Sequence, residues 1–277
     1  MLTWPDGKRA AASFTFDVDA EAVWIGRDRL NADRPGVLSQ GTYGPKVGVP
    51  LILEVLGRRE VKGTFFVPGI NIERHRGAID GIVEAGHEIA IHGYTHTAPT
   101  LLSRAEESDE LDRAYQRVVE LGLTPIGYRS PSWDVSPSTL DLIEAKGLLY
   151  ASNFMDDLRP YRHPGRRLIE LPTQWILDDW PHFEFAATGM DTVKSIRSTR
   201  EVEEIWLEEF EGIRGLGGSF VLTMHPQISG RPSRVALLDR VIAAVQSCPD
   251  VWIATCGEIA RHADAVLPHS GSEGEPN

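Results

Sequence analysis

The chain has 277 residues, of which 25% are charged and 42% are hydrophobic. This balance is typical of globular proteins and argues against extensive disorder. The formal net charge is -12, so a phosphate backbone would be repelled unless a basic patch intervened. We therefore expect no nucleic-acid partner.

The N-terminus and the cysteines predict a cytoplasmic location. Residues 1–14 contain no apolar segment of signal-peptide length, and the sequence has no apolar run of about 18 residues that would span a membrane. Cys248 and Cys256 are the only cysteines, which is too few for a disulfide framework or a thiolate zinc site. We expect a reduced compartment and no membrane partner.

Strands and helices are predicted to alternate from the N-terminus onward. A short apolar strand over residues 11–16 leads into Asp17 and Asp19. Residues 24–47 are polar, contain Gly and Pro and lack periodicity, which predicts a long loop that either closes over a pocket or lies in a subunit interface. The next predicted elements are a helix over 49–56 with Pro50 in its first turn, a strand over 61–67, a helix over 78–85 and a strand that opens the segment 86–97.

The second half continues the alternation. Ser103 with Glu106, and Ser198 with Glu201, each predict a capping box at the start of a helix. Further strands are predicted over 125–128, 148–152, 168–171, 219–224 and 251–255, and further helices begin at Ser136–Pro137 and at Ser233. The tail, residues 268–277, is too polar to fold, so we expect one domain over residues 1–267.

Eight predicted strands separated by helices imply parallel pairing and right-handed crossovers. An α/β fold follows, most simply a single-domain (β/α) barrel of irregular form with seven or eight strands; an open doubly wound sheet is the alternative. The polar groups that follow the strands support the barrel. Active sites of barrel enzymes form at the C-terminal ends of the strands.

Two histidines and two aspartates at strand ends indicate metal chemistry. His92 and His96 are four residues apart at the end of a strand, and the period of a strand directs Asp17 and Asp19 to one face. Two imidazoles and one carboxylate form a metal site with open coordination positions. Zinc in such a site lowers the pKa of water to about 7, and the second carboxylate can accept the proton.

Two further residues complete this interpretation. His225 follows another predicted strand and can donate a proton to a leaving nitrogen, while Arg129 can hold the base carboxylate in place. Taken singly, each residue has an ordinary structural explanation, and Arg129 alone would most often be a surface ion-pair partner. The other histidines without such a context are predicted on solvated surfaces: His75, His163, His182, His262 and His269.

Four segments together carry a family resemblance: FTFDVD at 14–19, HGYTH at 92–96, RSPS at 129–132 and LTMH at 222–225. In order and spacing they resemble the motifs of the polysaccharide deacetylases, the NodB-homology carbohydrate esterases. The resemblance covers roughly residues 10–260 and is best to the cytoplasmic branch, which contains peptidoglycan-deacetylase-like proteins, allantoinase-like proteins and cyclic imide hydrolases. It implies a NodB-type barrel, a carbohydrate or small-molecule substrate and a homo-oligomer.

The activity that the resemblance implies is metal-dependent hydrolysis of non-peptide C–N bonds, with N-acetyl groups of amino sugars as the leading substrate. Cyclic imides or ureides are the alternative. The implied metal ligands are Asp19, His92 and His96, and the metal is Zn²⁺, with Co²⁺, Mn²⁺ or Fe²⁺ as alternatives.

The resemblance also implies catalytic roles: Asp17 as general base, His225 as general acid and Arg129 as the group that orients Asp17. The commoner family pattern has two adjacent aspartates, whereas Val18 stands in the second place here, so the roles of Asp17 and Asp19 are open to exchange. The implied substrate-binding residues are Ser132 near the oxyanion, Trp133 and Trp175 as pocket walls, and Asp178 or Asp179 beside His225.

Two other classes of function fit parts of the pattern. A site of two histidines and one carboxylate also holds iron in oxygenases, but the aspartate precedes the histidines by more than 70 positions and the spare Asp17 and His225 suit hydrolysis. A catalytically silent sugar-binding module is the third hypothesis.

Overall fold

A computed structural model describes residues 2–183 and 196–268 of the chain. Within these ranges nine strands form a single sheet. The strands are β1 (Ala10–Asp17), β2 (Thr64–Val67), β3 (Glu88–Ile91), β4 (Gly127–Tyr128), β5 (Tyr150–Ala151), β6 (Tyr161–Arg162), β7 (Ile169–Glu170), β8 (Ser219–Met224) and β9 (Val251–Ile253).

The strand β1 pairs with three other strands, β2, β8 and β9. The strand order is β6-β7-β5-β4-β3-β2-β1-β8, and β9 pairs with the first half of β1 while β2 pairs with its second half. Every ladder is parallel except that between β6 and β7. The predicted parallel pairing is confirmed. The antiparallel strand β6 was not predicted, because two residues are too few to show a hydrophobic period.

The sheet curls into an irregular (β/α) barrel, as predicted. Arg129, just after β4, reaches across two intervening strands to bond Asp17 on β1 at 2.8 Å, which a flat sheet would not allow. Among the described residues no ladder joins β7 to β8. The circle stays open there, and Asp178 makes only an isolated bridge to Thr223 of β8.

Side-chain alternation on β1 separates the two sides of the sheet. Phe14 and Phe16 point outward and pack in the large core beneath the helices. Ser13, Thr15 and Asp17 alternate with them and are also buried, so they point into the barrel. Because side chains alternate along β1, its inward-facing residues form a row of polar groups that ends at the C-terminal edge of the sheet.

Helices cover the outer side. They are α1 (Ala22–Arg27), α2 (Pro35–Tyr43), α3 (Val49–Arg58), α4 (Gly69–Arg74), α5 (Arg76–Glu84), α6 (Arg104–Val119), α7 (Thr139–Ala145), α8 (Trp180–Phe183), α9 (Thr199–Leu216), α10 (Pro226–Ser229), α11 (Pro232–Gln246) and α12 (Cys256–Val266).

The prediction of a long loop over residues 24–47 is wrong, because most of this segment is helical in α1, α2 and a π-helix over Gly44–Gly48. Its glycines disguised the helical period, and they are needed for close backbone contacts. A Cβ on Gly41 would lie 2.4 Å from the Ala20 carbonyl oxygen, and one on Gly48 would lie 2.2 Å from that of Pro226.

Several predicted helix starts need correction. The capping box of Ser103 and Glu106 is present, but Ser198 makes only half of one, because the Glu201 carboxylate pairs with Arg197. Ser136 does not start α7, since its hydroxyl donates to the buried Glu107 at 2.5 Å.

At the other end of the chain, Ser233 lies inside α11, whose N-cap is Arg231. The last helix, α12, was not predicted, although Thr255 and Glu258 give it a complete capping box. Residues 269–277 of the predicted tail, with His269, lie outside the described residues. In the described part of the chain no helix is both long and apolar enough to cross a membrane.

Candidate active site

The end of β1 presents two buried carboxylates. Asp17 is the last residue of the strand, and Asp19 follows two residues later. The side-chain amide of Asn71 on α4 donates to the carbonyl oxygens of Val18 and Asp19, at 2.8 and 2.7 Å. These bonds fix the backbone of the segment that carries both carboxylates.

The end of β3 presents two imidazoles on a tight turn. His92 follows the strand directly, and both Gly93 and His96 have positive φ, 65° and 63°. The Glu110 carboxylate on α6 accepts from the backbone N–H groups of Tyr94 and Thr95, at 3.1 and 2.8 Å. No local pattern marks Glu110 in the sequence, because its role depends on how α6 packs against this turn.

Three donor atoms from the two strand ends converge. Asp19 Oδ1 lies 3.4 Å from His92 Nε2 and 3.3 Å from His96 Nε2. This buried oxygen has no hydrogen-bond partner among the described residues. His92 Nδ1 donates to the Arg129 carbonyl oxygen at 2.7 Å, so its Nε2 is left as a ligand atom. An orphaned carboxylate oxygen between two imidazole nitrogens suits a divalent cation.

The electrostatics of these groups agree with a cation site. Burial raises the pKa of Asp19, but His96 and His92 outweigh it and hold that pKa well below its ordinary value. For His92, burial lowers the pKa, while Asp17 and Asp19 overcome this effect and raise it. Metal binding would compete with protonation of His92, since a ligating imidazole must be neutral.

Asp17 is bonded by Arg129 on the side away from the three-donor site. Arg129 is completely buried, so the alternative of a surface ion pair does not apply to it. Arg129 Nη1 donates to Asp17 Oδ1 at 2.8 Å and to Thr15 Oγ1 at 2.9 Å, while Nη2 donates to Ser152 at 3.0 Å. The other carboxylate oxygen, Asp17 Oδ2, lies 3.8 Å from His92 Nε2. Arg129 thus fixes one oxygen of Asp17 and leaves the second directed at the three-donor site.

His225 reaches the same place from the end of β8. Its Nδ1 donates to Asp179 Oδ1 at 2.6 Å, and its backbone N–H and the Ser229 hydroxyl donate to Asp179 Oδ2 at 2.8 and 2.5 Å. His225 Nε2 lies 3.6 Å from Asp19 Oδ2. Burial lowers the pKa of His225, but Asp179 and Asp178 outweigh it and raise that pKa well above its ordinary value. The raised pKa favours the protonated form of His225, which a general acid needs.

A cavity of about 150 Å³ contains these groups. The rings of Trp133 and Trp175 lie 4.5 Å apart on one wall, and Trp175 is 48% exposed, which puts it at the mouth. Ser132, with a φ of 60°, also lines the wall. The cavity is lined by Asp17, Asp19, Val23, Arg27, His92, His96, Ser132, Trp133, Trp175, Asp178, Trp180 and His225.

Three of the lining residues were not predicted. Val23 and Arg27 belong to α1, and the Arg27 guanidinium stacks 4.4 Å over the ring of Trp180. Trp180 in turn meets the His225 ring edge-on at 5.1 Å. Two signals in the sequence could have identified two of these residues. Arg27 belongs to the segment 24–47, for which a position over a pocket was considered, and Trp180 directly follows the predicted site residues Asp178 and Asp179.

Two histidines that were predicted on solvated surfaces are buried instead. His163 bonds the buried Glu170 at 2.8 Å, and His182 bonds the Ile176 carbonyl oxygen at 3.0 Å. Neither lines the cavity. The prediction failed because each partner is a group that the local sequence does not mark.

The chain is similar to several known proteins. The family model for polysaccharide deacetylase matches residues 42–151. A peptidoglycan deacetylase from Helicobacter pylori is 28% identical over 91% of this chain and 96% of its own. A solved allantoinase structure is 25% identical, covers 96% of this chain and 94% of its own, and superposes with a TM-score of 0.83.

A further likeness, to a Mycobacterium smegmatis protein classed with the polysaccharide deacetylases, extends over the whole chain. Its crystal structure is 40% identical, with 100% of this chain and 97% of that one covered and a TM-score of 0.93. Identity at this level over the full length, together with the four motifs on one rim of the barrel, shows that the chain belongs to the polysaccharide deacetylase family of amide-bond hydrolases.

Proposed function

We propose that the protein removes N-acetyl groups from amino sugars by metal-dependent hydrolysis. The observation that carries this proposal is a complete hydrolytic set in one cavity. A carboxylate with a free oxygen, three converging ligand atoms and an imidazole with a raised pKa line the same cavity. Their arrangement fits general-base attack by water and general-acid departure of an amine.

Asp19, His92 and His96 would hold the metal, for which we propose zinc because mixed imidazole and carboxylate ligands suit it. When bound, zinc supplies a Lewis acid that activates water and polarises the amide carbonyl. The bond from His92 Nδ1 to the Arg129 carbonyl oxygen keeps this ligand oriented. Asp19 is preferred over Asp17 as the ligand because its Oδ1 lies between both imidazoles.

Asp17 would act as the general base. Its Oδ1 is occupied by Arg129, so the proton of the attacking water goes to Oδ2, which faces the ligand atoms. Arg129 also keeps the carboxylate from turning away, since Thr15 and Ser152 hold the guanidinium in turn. The base is therefore positioned before the substrate arrives.

His225 would act as the general acid. Its Nδ1 is committed to Asp179, so the proton that leaves is the one on Nε2, which faces the three-donor site. That proton goes to the departing nitrogen as the C–N bond breaks. The backbone N–H of Ser132, which also lines the cavity, would stabilise the negative charge that develops on the carbonyl oxygen.

Ring opening of a cyclic imide or ureide is the second candidate. The cavity volume of about 150 Å³ is below the range of roughly 300–1,000 Å³ that is usual for drug-sized ligands, which favours a compact substrate. The fold-wide similarity to an allantoinase points the same way. Both reactions use the same base and acid. In deacetylation the departing nitrogen stays on the sugar and acetate is released, whereas in ring opening the nitrogen and the new carboxylate stay in one molecule.

Product analysis with zinc-loaded protein separates the candidates. Chitooligosaccharides, succinimide and allantoin are incubated with the protein and with its His92→Ala variant, and acetate and ring-opened products are measured. Acetate formed only by the intact protein supports deacetylation, and ring opening without acetate supports the second candidate. If neither forms although zinc is bound, both are overturned, and oxygen consumption by the iron-loaded protein tests the oxygenase hypothesis.

A further inference from the structure

Asp178 is a buried carboxylate of the cavity that the proposed reaction does not use. Its Oδ1 accepts from the Trp180 backbone N–H at 2.6 Å. In the described part of the chain no group donates to its Oδ2, although the side chain lines the cavity. The orientation of His225 does not require Asp178, because Asp179 already accepts from both the ring and the backbone of that histidine.

The position of Asp178 relates it to the leaving group. Its Oδ1 lies 3.8 Å from His225 Nδ1, so the carboxylate is beside the residue that protonates the departing nitrogen. Asp17, the proposed base, lies at the end of β1, whereas His225 follows β8. A substrate group that contacts Asp178 would therefore lie on the side of the departing nitrogen, which His225 protonates.

A carboxylate oxygen in a cavity wall that receives no hydrogen bond from the described residues is open to a donor from a ligand. Burial raises the pKa of Asp178 to about 7, an effect that His225 opposes and the Asp179 carboxylate reinforces. Within residues 2–183 and 196–268, Asp178 receives one hydrogen bond, from the Trp180 N–H, and one ion-pair contact, from His225. By contrast, both oxygens of Asp179 receive hydrogen bonds from within the chain.

We propose that Asp178 determines specificity by accepting a hydrogen bond from an N–H or O–H group next to the leaving nitrogen of the substrate. This inference rests on the proposed function and deepens it. In an N-acetyl amino sugar the donor is the ring hydroxyl beside the amide, and in a cyclic ureide it is the second ring N–H. A cyclic imide has a methylene at that place and is disfavoured.

The test is ligand binding by two matched pairs that differ only in this donor. Hydantoin and succinimide differ by one ring N–H against CH₂, and a methyl glycoside of N-acetylglucosamine is compared with its 3-deoxy analogue. Affinities are measured by calorimetry on zinc-loaded Asp17→Asn protein, in which turnover is suppressed. In one of the pairs the donor-bearing member should bind about tenfold or more tightly, and that pair identifies the source of the donor.

The variant Asp178→Asn, made in the same background, should remove or invert this preference. Its oxygen can still accept from the Trp180 N–H, and its amide nitrogen then faces the donor of the ligand. Trp175→Phe is the matched control on the same cavity: it weakens both members of a pair alike and leaves their ratio unchanged. Zinc content and the thermal midpoint of each variant are checked first.

Equal affinities within both pairs would overturn the proposal, as would a preference that survives in Asp178→Asn or the absence of binding by all four ligands. The preference is measured on protein with Asp178 intact, so the result does not depend on how the variant folds. If the preference is found but protein with Asp17 intact hydrolyses none of the donor-bearing ligands, the proposed function fails and the recognition role stands.

Discussion

His225 with Asp179 and His163 with Glu170 are chemically similar pairs in different surroundings. Each is a buried imidazole bonded to a buried carboxylate, at 2.6 and 2.8 Å. His225 presents its second nitrogen to the cavity. His163 packs between the rings of Phe154 and Tyr161, with ring centroids 5.2 and 5.3 Å away, and lies outside the cavity.

The carboxylates extend the contrast. Glu170 accepts from the backbone N–H groups of Asn153 and Phe154, at 2.6 and 3.0 Å, and thereby ties β7 to the segment after β5. Asp179 instead supports the residue that faces the substrate. A buried histidine–carboxylate pair is therefore no evidence of catalysis by itself; what matters is whether an atom of the pair is directed at a space that a ligand can enter.

The largest difference in zinc binding is expected between two single variants, Asp19→Asn and Asp17→Asn. Asp19→Asn should abolish zinc binding and activity, because it removes the charge between the two imidazoles. Asp17→Asn should keep the zinc and lower kcat by about 10²–10⁴-fold, since only the base is lost. Zinc binding is measured as the metal content after dialysis and as the thermal shift on adding zinc. A variant that still binds zinc should gain about 2.7 kcal/mol of stability at a zinc concentration 100 times Kd. The reverse pattern would exchange the two roles.

The two histidine pairs are compared directly by His225→Gln and His163→Gln. We expect His225→Gln to lower kcat by about 10²–10⁴-fold, because the leaving nitrogen loses its acid. His163→Gln should leave kcat unchanged and lower the free energy of unfolding by about 1–3 kcal/mol, because the Glu170 carboxylate is left less well satisfied. Steady-state kinetics and denaturant unfolding of both variants decide, and a large loss of kcat in His163→Gln would contradict the distinction.

Glu110→Ala tests the support of the metal ligands from outside the cavity. The turn that carries His96 then loses the carboxylate that accepts from Tyr94 and Thr95. We expect zinc affinity to fall by about 10–100-fold, as is usual for groups that orient metal ligands. Competition with a zinc chelator measures it. Glu106→Ala, at the exposed start of the same helix, is the control and should leave the affinity unaltered.

A third buried histidine, His87, has no carboxylate partner among the described residues and gives the smallest expected effect. Burial, with Lys62 nearby, lowers the pKa of His87 to about 4, and its Nδ1 accepts from the Gly63 N–H at 3.1 Å. Between the ordinary value of about 6.5 and 4 the unfolded chain binds a proton that the folded chain does not, so stability falls as the pH falls.

Denaturant unfolding at pH 7 and pH 5 measures this contribution, which should be about 1–2 kcal/mol. His87→Phe keeps the ring packing on Phe65, 5.3 Å away, and removes the proton. The variant is expected to be less stable at pH 7, because Gly63 loses its acceptor, but its stability should change less between the two pH values. An unchanged difference would show that other groups cause the acid sensitivity.

The sequence by itself determined the strands that carry chemistry and the residues at their ends. Short apolar runs identified β1 and β8, alternation identified β3, and the residue types in FTFDVD, HGYTH and LTMH predicted a base, ligands and an acid. For the strands the prediction is confirmed, because hydrophobic patterning along a strand is a local property. Among helices, capping chemistry was reliable where the serine was free to cap, as at Ser103.

Only the tertiary structure decided which groups share a cavity and which of them remain unsatisfied. Asn71 and Glu110 hold the two ligand-bearing segments from distant helices, and Arg27 enters the cavity wall from a segment predicted to be a loop. The helices there pack backbone against backbone through glycines, which hides their period in the sequence. The free oxygen of Asp178 likewise depends on long-range packing, because hydrogen-bond satisfaction is a property of the assembled neighbourhood and not of any one segment.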